Sequence, residues 1–195
     1  MKNLFGVVKK GMWLGLIYAV SVQATVLMAL DLDTLAQRAD MVIRAQVLSA
    51  QSKTRGNPKR IFTEVELKSL ECWKGSCAEV VTALVVGGRE GAVEQRLSGS
   101  AEFSPGEECV VFLKAHGKNH FRVLGMAQGK YRLEWKPDFS EPVAIPEEVR
   151  DVELIYSNAQ LKAMPLRREM PLSLLRQRVR AMQAAETNVK TEEAP

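Results

Sequence analysis

Few of the residues that perform most catalytic chemistry occur in this sequence of 195 residues. It has three cysteines and two histidines, and no nucleophile motif accompanies them. No pair of carboxylates stands in a recognisable catalytic setting, no cluster of metal ligands is evident, and no segment repeats. The sequence therefore predicts no catalytic residue, no metal site and no cofactor, and it favours a binding protein over an enzyme.

A basic surplus is also lacking once the N-terminus is set aside. The formal net charge is +4, and Lys2, Lys9 and Lys10 supply three of the 27 Lys and Arg. The other 24 basic residues are balanced by 23 Asp and Glu. Because non-specific nucleic-acid binding requires a basic surplus or stripe, we predict no nucleic-acid partner.

Residues 1–24 have the three parts of a secretory signal peptide. The lysines are followed by a mostly apolar stretch, residues 11–22, and Val22-Gln23-Ala24 is a small-x-small cleavage site. We expect export to the periplasm or the extracellular space. Alternatively, the uncharged residues 11–30 are long enough to span a bilayer, and the protein would be a structural protein anchored to the envelope. Both interpretations place the rest of the chain outside the cytoplasm, and only this segment would contact the membrane.

All three cysteines lie in the exported part, where disulfides form. If Lys74 and Gly75 make a two-residue hairpin loop, Cys72 and Cys77 face each other across two strands, and this spacing permits a disulfide. A redox-active pair is the alternative, although such pairs usually have the spacing Cys-x-x-Cys. Cys109 is then left over as a buried core thiol.

The most distinctive stretch of the chain is residues 103–114. Pro105 and Gly106 fit the central positions of a type II turn. The apolar side chains that follow alternate between two faces, with Cys109, Val111 and Leu113 on one and Val110 and Phe112 on the other. A strand that is apolar on both faces is buried on both, so we predict that it lies in the middle of a sheet or barrel.

Short strands separated by turn signals surround this stretch. They are predicted at residues 41–49, 61–70, 79–86, 121–126 and 131–135, after a helix at residues 32–39. We therefore predict a mainly β fold, a small antiparallel barrel of five or six strands that occupies residues 30–136.

The C-terminal part is predicted to lie outside the barrel and to contain no strand. Residues 137–170 are interrupted by prolines and are expected to form an irregular connection. Residues 171–186 are expected to form an amphipathic helix packed on the barrel, and residues 187–195 a disordered tail. The apolar stripe of the helix consists of Leu172, Leu175, Val179 and Met182.

Two connections are candidates for binding. Residues 51–60 are polar and basic, and residues 87–102 are rich in glycine; long connections often carry binding function. The candidate residues are Arg55, Lys59 and Arg60 in the first connection and Gly87, Gly88 and Arg89 in the second. The alternatives are a solvated hairpin tip and a plain connection between strands.

A metal site is the remaining alternative. His116 and His120 have a spacing that binds metal when both lie on one helical face. However, Gly117-Lys118-Asn119 between them indicates a hairpin turn, and no third ligand is evident. A thiol- or metal-dependent enzyme that uses Cys109 or the His116/His120 pair is therefore the alternative function.

Several motifs occur in an order known from other proteins. They are Ala39-Asp40 at the start of the first strand, Thr63-x-Val65 leading to Trp73-Lys74-Gly75, Gly87-Gly88, Phe103-x-Pro105-Gly106-Glu107 before Val110, and Ala127-Gln128-Gly129-Lys130. Together they resemble a family of exported bacterial proteins without an assigned function, and they are more distantly similar to netrin-like modules. Those modules have the five-stranded OB barrel used by tissue inhibitors of metalloproteinases, so the resemblance implies an OB-like barrel.

Such inhibitors coordinate the zinc of the protease through an N-terminal cysteine. Cleavage after Ala24 would leave Thr25 first, and the first cysteine is Cys72, so this mechanism does not transfer to the present sequence. We expect an exported, non-enzymatic binding module whose partner is a protein, for example an extracytoplasmic protease.

Overall fold

The computed structural model describes residues 25–117, 119–157 and 167–192. The predicted signal peptide and the last residues of the predicted tail lie outside this part. The elements are β1 Thr25–Met28, α1 Leu32–Arg38, β2 Met41–Arg55, β3 Arg60–Lys74, β4 Val80–Val86, β5 Gly88–Glu90, β6 Val93–Gln95, β7 Glu108–Ala115, β8 His120–Val123, a 3-10 turn Met126–Gly129, β9 Lys130–Glu134, β10 Val143–Pro146, β11 Val152–Ile155, β12 Met170–Pro171 and α2 Leu172–Glu192. The fold is mainly β with two helices, as the sequence predicts.

Eight strands form one sheet, and five of them close into a ring. The order of the sheet is β12-β10-β9-β7-β2-β3-β4-β8. Because β8 also pairs with β7, the strands β2, β3, β4, β8 and β7 surround a common interior. The pair β4–β8 is parallel and the other pairs of the ring are antiparallel.

Strand β7 lies at the centre of this arrangement, as predicted. It pairs with β2, β8 and β9, and it separates two apolar cores. Cys109, Val111 and Leu113 point into the ring. Val110 and Phe112 point outwards, into a second core that includes side chains of both helices. The alternation of apolar residues along β7 therefore serves both cores at once.

The two helices cover the outer face of the sheet. Helix α1 begins at the cap Asp31, whose carboxylate accepts a hydrogen bond of 2.7 Å from the Thr34 amide. Helix α2 buries its predicted stripe against the second core: Leu172, Leu175, Val179 and, less deeply, Met182. In the described part of the chain, no helix is long and apolar enough to cross a membrane.

The predicted loop at residues 51–60 is much shorter than expected. Strand β2 continues to Arg55 and β3 begins at Arg60, so only the turn between them is irregular. Beyond Ser49, strands β2 and β3 form a ribbon in which residues 50–55 pair with residues 60–65. The alternation of apolar residues stops there because polar side chains pair across the ribbon. Ser52 and Thr63 share a hydrogen bond of 3.0 Å, and Arg55 pairs with Glu64.

The C-terminal part also differs from the expectation. Strands β10 and β11 and the first residue of β12 lie in the predicted irregular connection, and all three strands are short. Strand β10 pairs with the preceding strand β9, whereas β11 pairs with β1 and β12 pairs with β10. Helix α2 runs on through Glu192 and so extends into the predicted tail. A helix that is already docked elongates without an apolar anchor, since each added residue contributes one further hydrogen bond.

Cys72 and Cys77 form the predicted disulfide, with their Cα atoms 5.9 Å apart. The predicted two-residue hairpin around them is wrong. Strand β3 continues to Lys74, which pairs with Val42 of β2, and β4 begins only at Val80. Cys77 therefore lies in the connection between the strands, and the disulfide closes that connection against the end of β3.

Candidate binding groove

A concave groove of about 570 Å³ lies beside the end of the ring. Three parts of the chain line it. The first is the ribbon of β2 and β3, the second is the glycine-rich connection with its approaches, residues 85–88 and 94–103, and the third is a loop after β10. The ribbon contributes Ala50, Ser52, Thr63 and Val65, and the loop contributes Glu147, Glu148, Arg150 and Asp151. We call this feature the groove.

The three parts that line the groove are its walls. Gly87 and Gly88 bring the glycine-rich connection, which is the second wall, against the ribbon. Their φ angles are +101° and +129°, a region that side-chain-bearing residues rarely adopt. A Cβ atom at Gly88 would overlap the hydroxyl groups of Ser52 and Thr63. Those hydroxyls hold the chain instead: Thr63 Oγ1 donates to the Gly87 carbonyl at 2.7 Å, and Ser52 Oγ accepts from the Arg89 amide at 3.1 Å. The glycine pair therefore has an architectural role in the groove.

Backbone hydrogen bonds tie the second wall to the third. The Gly99 amide donates to the Arg150 carbonyl at 3.0 Å, and the Gly99 carbonyl accepts from the Ala127 amide at 2.9 Å. The Ser100 hydroxyl donates to the Val86 carbonyl at 3.0 Å. These bonds fix the relative position of the walls, so the groove is a preformed feature of the scaffold.

A buried lysine lies beneath the groove. Lys130 is 2% exposed, and its Nζ is 2.6 Å from Glu107 Oε1 and 3.5 Å from Glu147 Oε2. The same ammonium donates to the Glu102 carbonyl and lies 4.6 Å from the centroid of the Phe103 ring. A charge is stable at such depth only when it is paired. Lys130 therefore links the second and third walls through one ionic cluster.

The rim of the groove carries charged side chains of both signs. Arg96 Nε lies 2.6 Å from Glu94 Oε1, and this hydrogen bond lowers the pKa of Glu94. Arg150 Nε lies 3.0 Å from Glu148 Oε2. The pairing with Glu94 and Glu148, and to a lesser degree the charge of Glu102, raises the pKa values of Arg96 and Arg150. The groove is lined by two arginines and five carboxylates, Glu94, Glu102, Glu147, Glu148 and Asp151, so the net charge of its rim is negative.

The predicted binding residues do not converge on one site. Gly87 and Gly88 line the groove, whereas Arg55, Lys59, Arg60 and Arg89 do not. The basic residues lie on or beside the ribbon, where Arg55 pairs with Glu64. Ser52 and residues 94–102 belong to the two candidate connections, and Thr63 belongs to the predicted strand at residues 61–70, whereas no sequence pattern indicated the loop after β10. Lys130 occurs in one of the motifs of the resemblance, which offered the only hint of its importance.

The residues of the alternative enzyme lie elsewhere. Cys109 is enclosed in the ring, and burial raises the pKa of its thiol to about 12, so the thiol stays protonated at neutral pH. His116 and His120 flank the turn between β7 and β8, where the His116 amide donates to the His120 carbonyl at 2.8 Å. In the described part of the chain, they have no third residue with which to form a metal-ligand group.

A scan against protein-family models and a search of curated proteins found no match to this chain. The function therefore has to be inferred from the geometry of the groove and from the scaffold that supports it.

Proposed function

We propose that this chain is an exported, non-enzymatic binding module and that the groove receives a segment of a protein partner. The observation that carries this proposal is the groove itself, which has a volume of about 570 Å³ and walls fixed by backbone hydrogen bonds. A volume in this range suits a short piece of polypeptide. Connecting segments held by a rigid scaffold are common places for binding.

We further propose that the ring is an OB-type barrel, similar to that of netrin-like modules. In chain order its strands are β2, β3, β4, β7 and β8, and around the ring the order is first, second, third, fifth and fourth. This Greek-key connection, with a parallel pair between the third and fifth strands, supports an OB-type assignment. The groove lies at the connection between the third and fourth strands.

Export is part of the same proposal. The Cys72–Cys77 disulfide is compatible with an oxidising compartment, and residues 1–24 have the composition of a signal peptide. A protein of the periplasm or the extracellular space, such as an extracytoplasmic protease, is therefore the proposed partner. The first cysteine of the chain is enclosed in the disulfide, so the zinc-binding mode of metalloproteinase inhibitors is not part of the proposal.

Site-specific photocrosslinking in cells tests the proposal. A photoreactive amino acid replaces Leu97, which lines the groove and is 37% exposed. The matched control carries the same group at Arg180, on the exposed side of α2. We expect a protein adduct from position 97 that is absent from position 180. The proposal fails if position 97 gives no adduct in correctly folded protein, or if both positions give the same adducts.

A further inference from the structure

We infer that the groove selects a segment in which an aliphatic side chain stands next to a lysine or an arginine. This inference rests on the proposed function, because it names the chemistry of the partner segment at the same site. Two features of the groove carry it. One is the apolar floor, and the other is the net negative charge of the rim.

The floor of the groove is continuous with the interior of the ring. Val65 is buried in the ring, and Ala50, Val85 and Phe103 are partly buried and pack against the same apolar cluster. An aliphatic side chain that enters the groove would extend this cluster and lose its contact with water, which is favourable. The floor therefore selects an apolar anchor. Leu97 adds apolar surface to the wall.

The rim selects the charge beside the anchor. Arg96 and Arg150 are each paired with a glutamate two residues away, and Glu147 is paired with the buried Lys130. Glu102 and Asp151 form no ion pair among the described residues, although the charge of Glu102 also acts on Arg96 and Arg150. Because the groove is lined by five carboxylates and two arginines, a cationic side chain beside the anchor would be attracted to Glu102 and Asp151, whereas an anionic one would meet like charge. Charge complementarity of this kind governs partner selection more than it governs total affinity.

The first experiment measures preference. Full-length protein is titrated with three labelled short peptides, in which leucine is flanked by lysines, leucine is flanked by glutamates, or serine is flanked by lysines. We expect the first peptide to bind most tightly. Equal binding of the lysine-flanked and glutamate-flanked peptides overturns the inference, and so does equal binding of the leucine and serine peptides.

The second experiment reverses the rim charge. In the double variant Glu102→Lys, Asp151→Lys we expect binding of the lysine-flanked leucine peptide to weaken by about tenfold, the scale of two exposed ion pairs. We also expect the glutamate-flanked peptide to gain affinity. The matched control Glu79→Lys, Asp138→Lys has the same net charge, changes exposed residues outside the groove, and should bind like the unaltered protein. An equal loss in both variants shows a non-specific charge effect and overturns the inference.

A third variant tests the floor. Ala50→Trp should occupy the apolar floor and abolish binding of every leucine peptide, while thermal unfolding shows that the protein is still folded. Retention of binding in the folded variant contradicts an anchor at this place.

If position 97 captures a partner by crosslinking but none of the peptides binds, the inference fails and the proposed function stands. If position 97 captures nothing, the proposed function itself fails.

Discussion

Lys130 shows how one residue can determine the shape of a site without lining it. Its ammonium contacts Glu107 on the approach to β7 and Glu147 in the loop after β10. These two residues are far apart in sequence, and Glu147 lines the groove whereas Glu107 does not. Because an unpaired charge at this depth would be unfavourable, the pairing fixes the distance between the two segments. The lysine is therefore a positioning residue for the groove.

Replacement of this lysine should be costly. We expect Lys130→Met to lower the free energy of unfolding by about 3 kcal/mol, the lower end of the range for a broken buried pair, because Glu107 and Glu147 still reach solvent. Urea-induced unfolding measures the loss. The control Lys136→Met removes an exposed pair with Glu169 and should cost less than about 1 kcal/mol. Similar losses in the two variants would contradict the positioning role.

Asp40 has a structural role that explains part of the Ala39-Asp40 motif. Its Oδ1 accepts from Lys114 Nζ at 2.6 Å, and its Oδ2 accepts from the Ala115 amide at 2.9 Å. The carboxylate thus connects the start of β2 to the end of β7. The hydrogen bond from Lys114, followed by that from Ala115, lowers the pKa of Asp40 below its usual value of 3.8.

This lowered pKa makes a prediction about acid stability. A carboxyl group whose pKa is lower in the folded state stabilises the fold above its unfolded pKa, and the contribution is lost as the pH falls through the folded pKa. We expect Asp40→Asn to cost about 1 kcal/mol at neutral pH, since the group is partly exposed. The cost should shrink as the pH falls below about 4. Urea unfolding of both proteins across this pH range gives the difference, and a difference independent of pH would contradict the assignment.

At the scale of elements, the connection from β3 to β4 secures helix α1. Lys74 Nζ donates to the Ala36 and Gln37 carbonyls, each at 2.9 Å, at the C-terminal end of the helix. Gly75, with a φ of +86°, lies so close to the Asp40 carbonyl that a Cβ atom would overlap it. The Lys74-Gly75 motif therefore joins the sheet to the helix, and the disulfide closes the same connection.

Loss of the disulfide should have a moderate effect. We expect Cys72→Ser, Cys77→Ser to lower the free energy of unfolding by about 2 kcal/mol, because the closed loop is short. Unfolding in urea gives the loss, and the unaltered protein after reduction should lose a similar amount. The ring should persist, since Trp73 and Cys77 are the only residues of this loop that contact the two cores in the described part of the chain. Loss of the β-sheet signal in the circular dichroism spectrum of the double variant would show that the whole ring depends on this connection.

The elements themselves were predictable to different degrees. Strand β7 and the stripe of α2 were found because their apolar residues recur with the period of a strand or a helix. The continuation of β2 beyond Ser49 was not predicted, because its polar residues form cross-strand pairs and leave no alternation of apolar residues. Strands β10 to β12 have only two to four residues each, which is too short for an alternation of apolar residues to be recognised. In the groove, the two candidate connections include Ser52, Gly87, Gly88 and residues 94–102, whereas the loop after β10 was not predicted.

At the scale of the whole molecule, two apolar cores share one strand. The ring encloses one core, and the helices cover the other on the outer side of β7 and β9. Strand β1 begins at Thr25 and pairs in parallel with β11, beside the groove.

Export with cleavage makes a direct prediction. We expect Thr25 to be the first residue of the protein recovered from the periplasm or the medium, because Val22-Gln23-Ala24 is the cleavage signal. N-terminal sequencing or intact-mass measurement identifies it. A substitution of Ala24 by a large residue should block processing and leave the longer form. Recovery of the longer form alone from the unaltered protein would favour an envelope anchor.

Residue patterns alone were sufficient for the features that depend on neighbours along the chain. These are the two-faced strand β7, the stripe of α2 and the pairing of Cys72 with Cys77, which follow from period or spacing. The tertiary structure alone decided the closure of the ring, the burial of Lys130 and the position of the groove. Each of these requires contacts between distant segments, such as Gly99 with Arg150. Local residue patterns carry no record of which distant segments will meet, so the site could be read only from the folded chain.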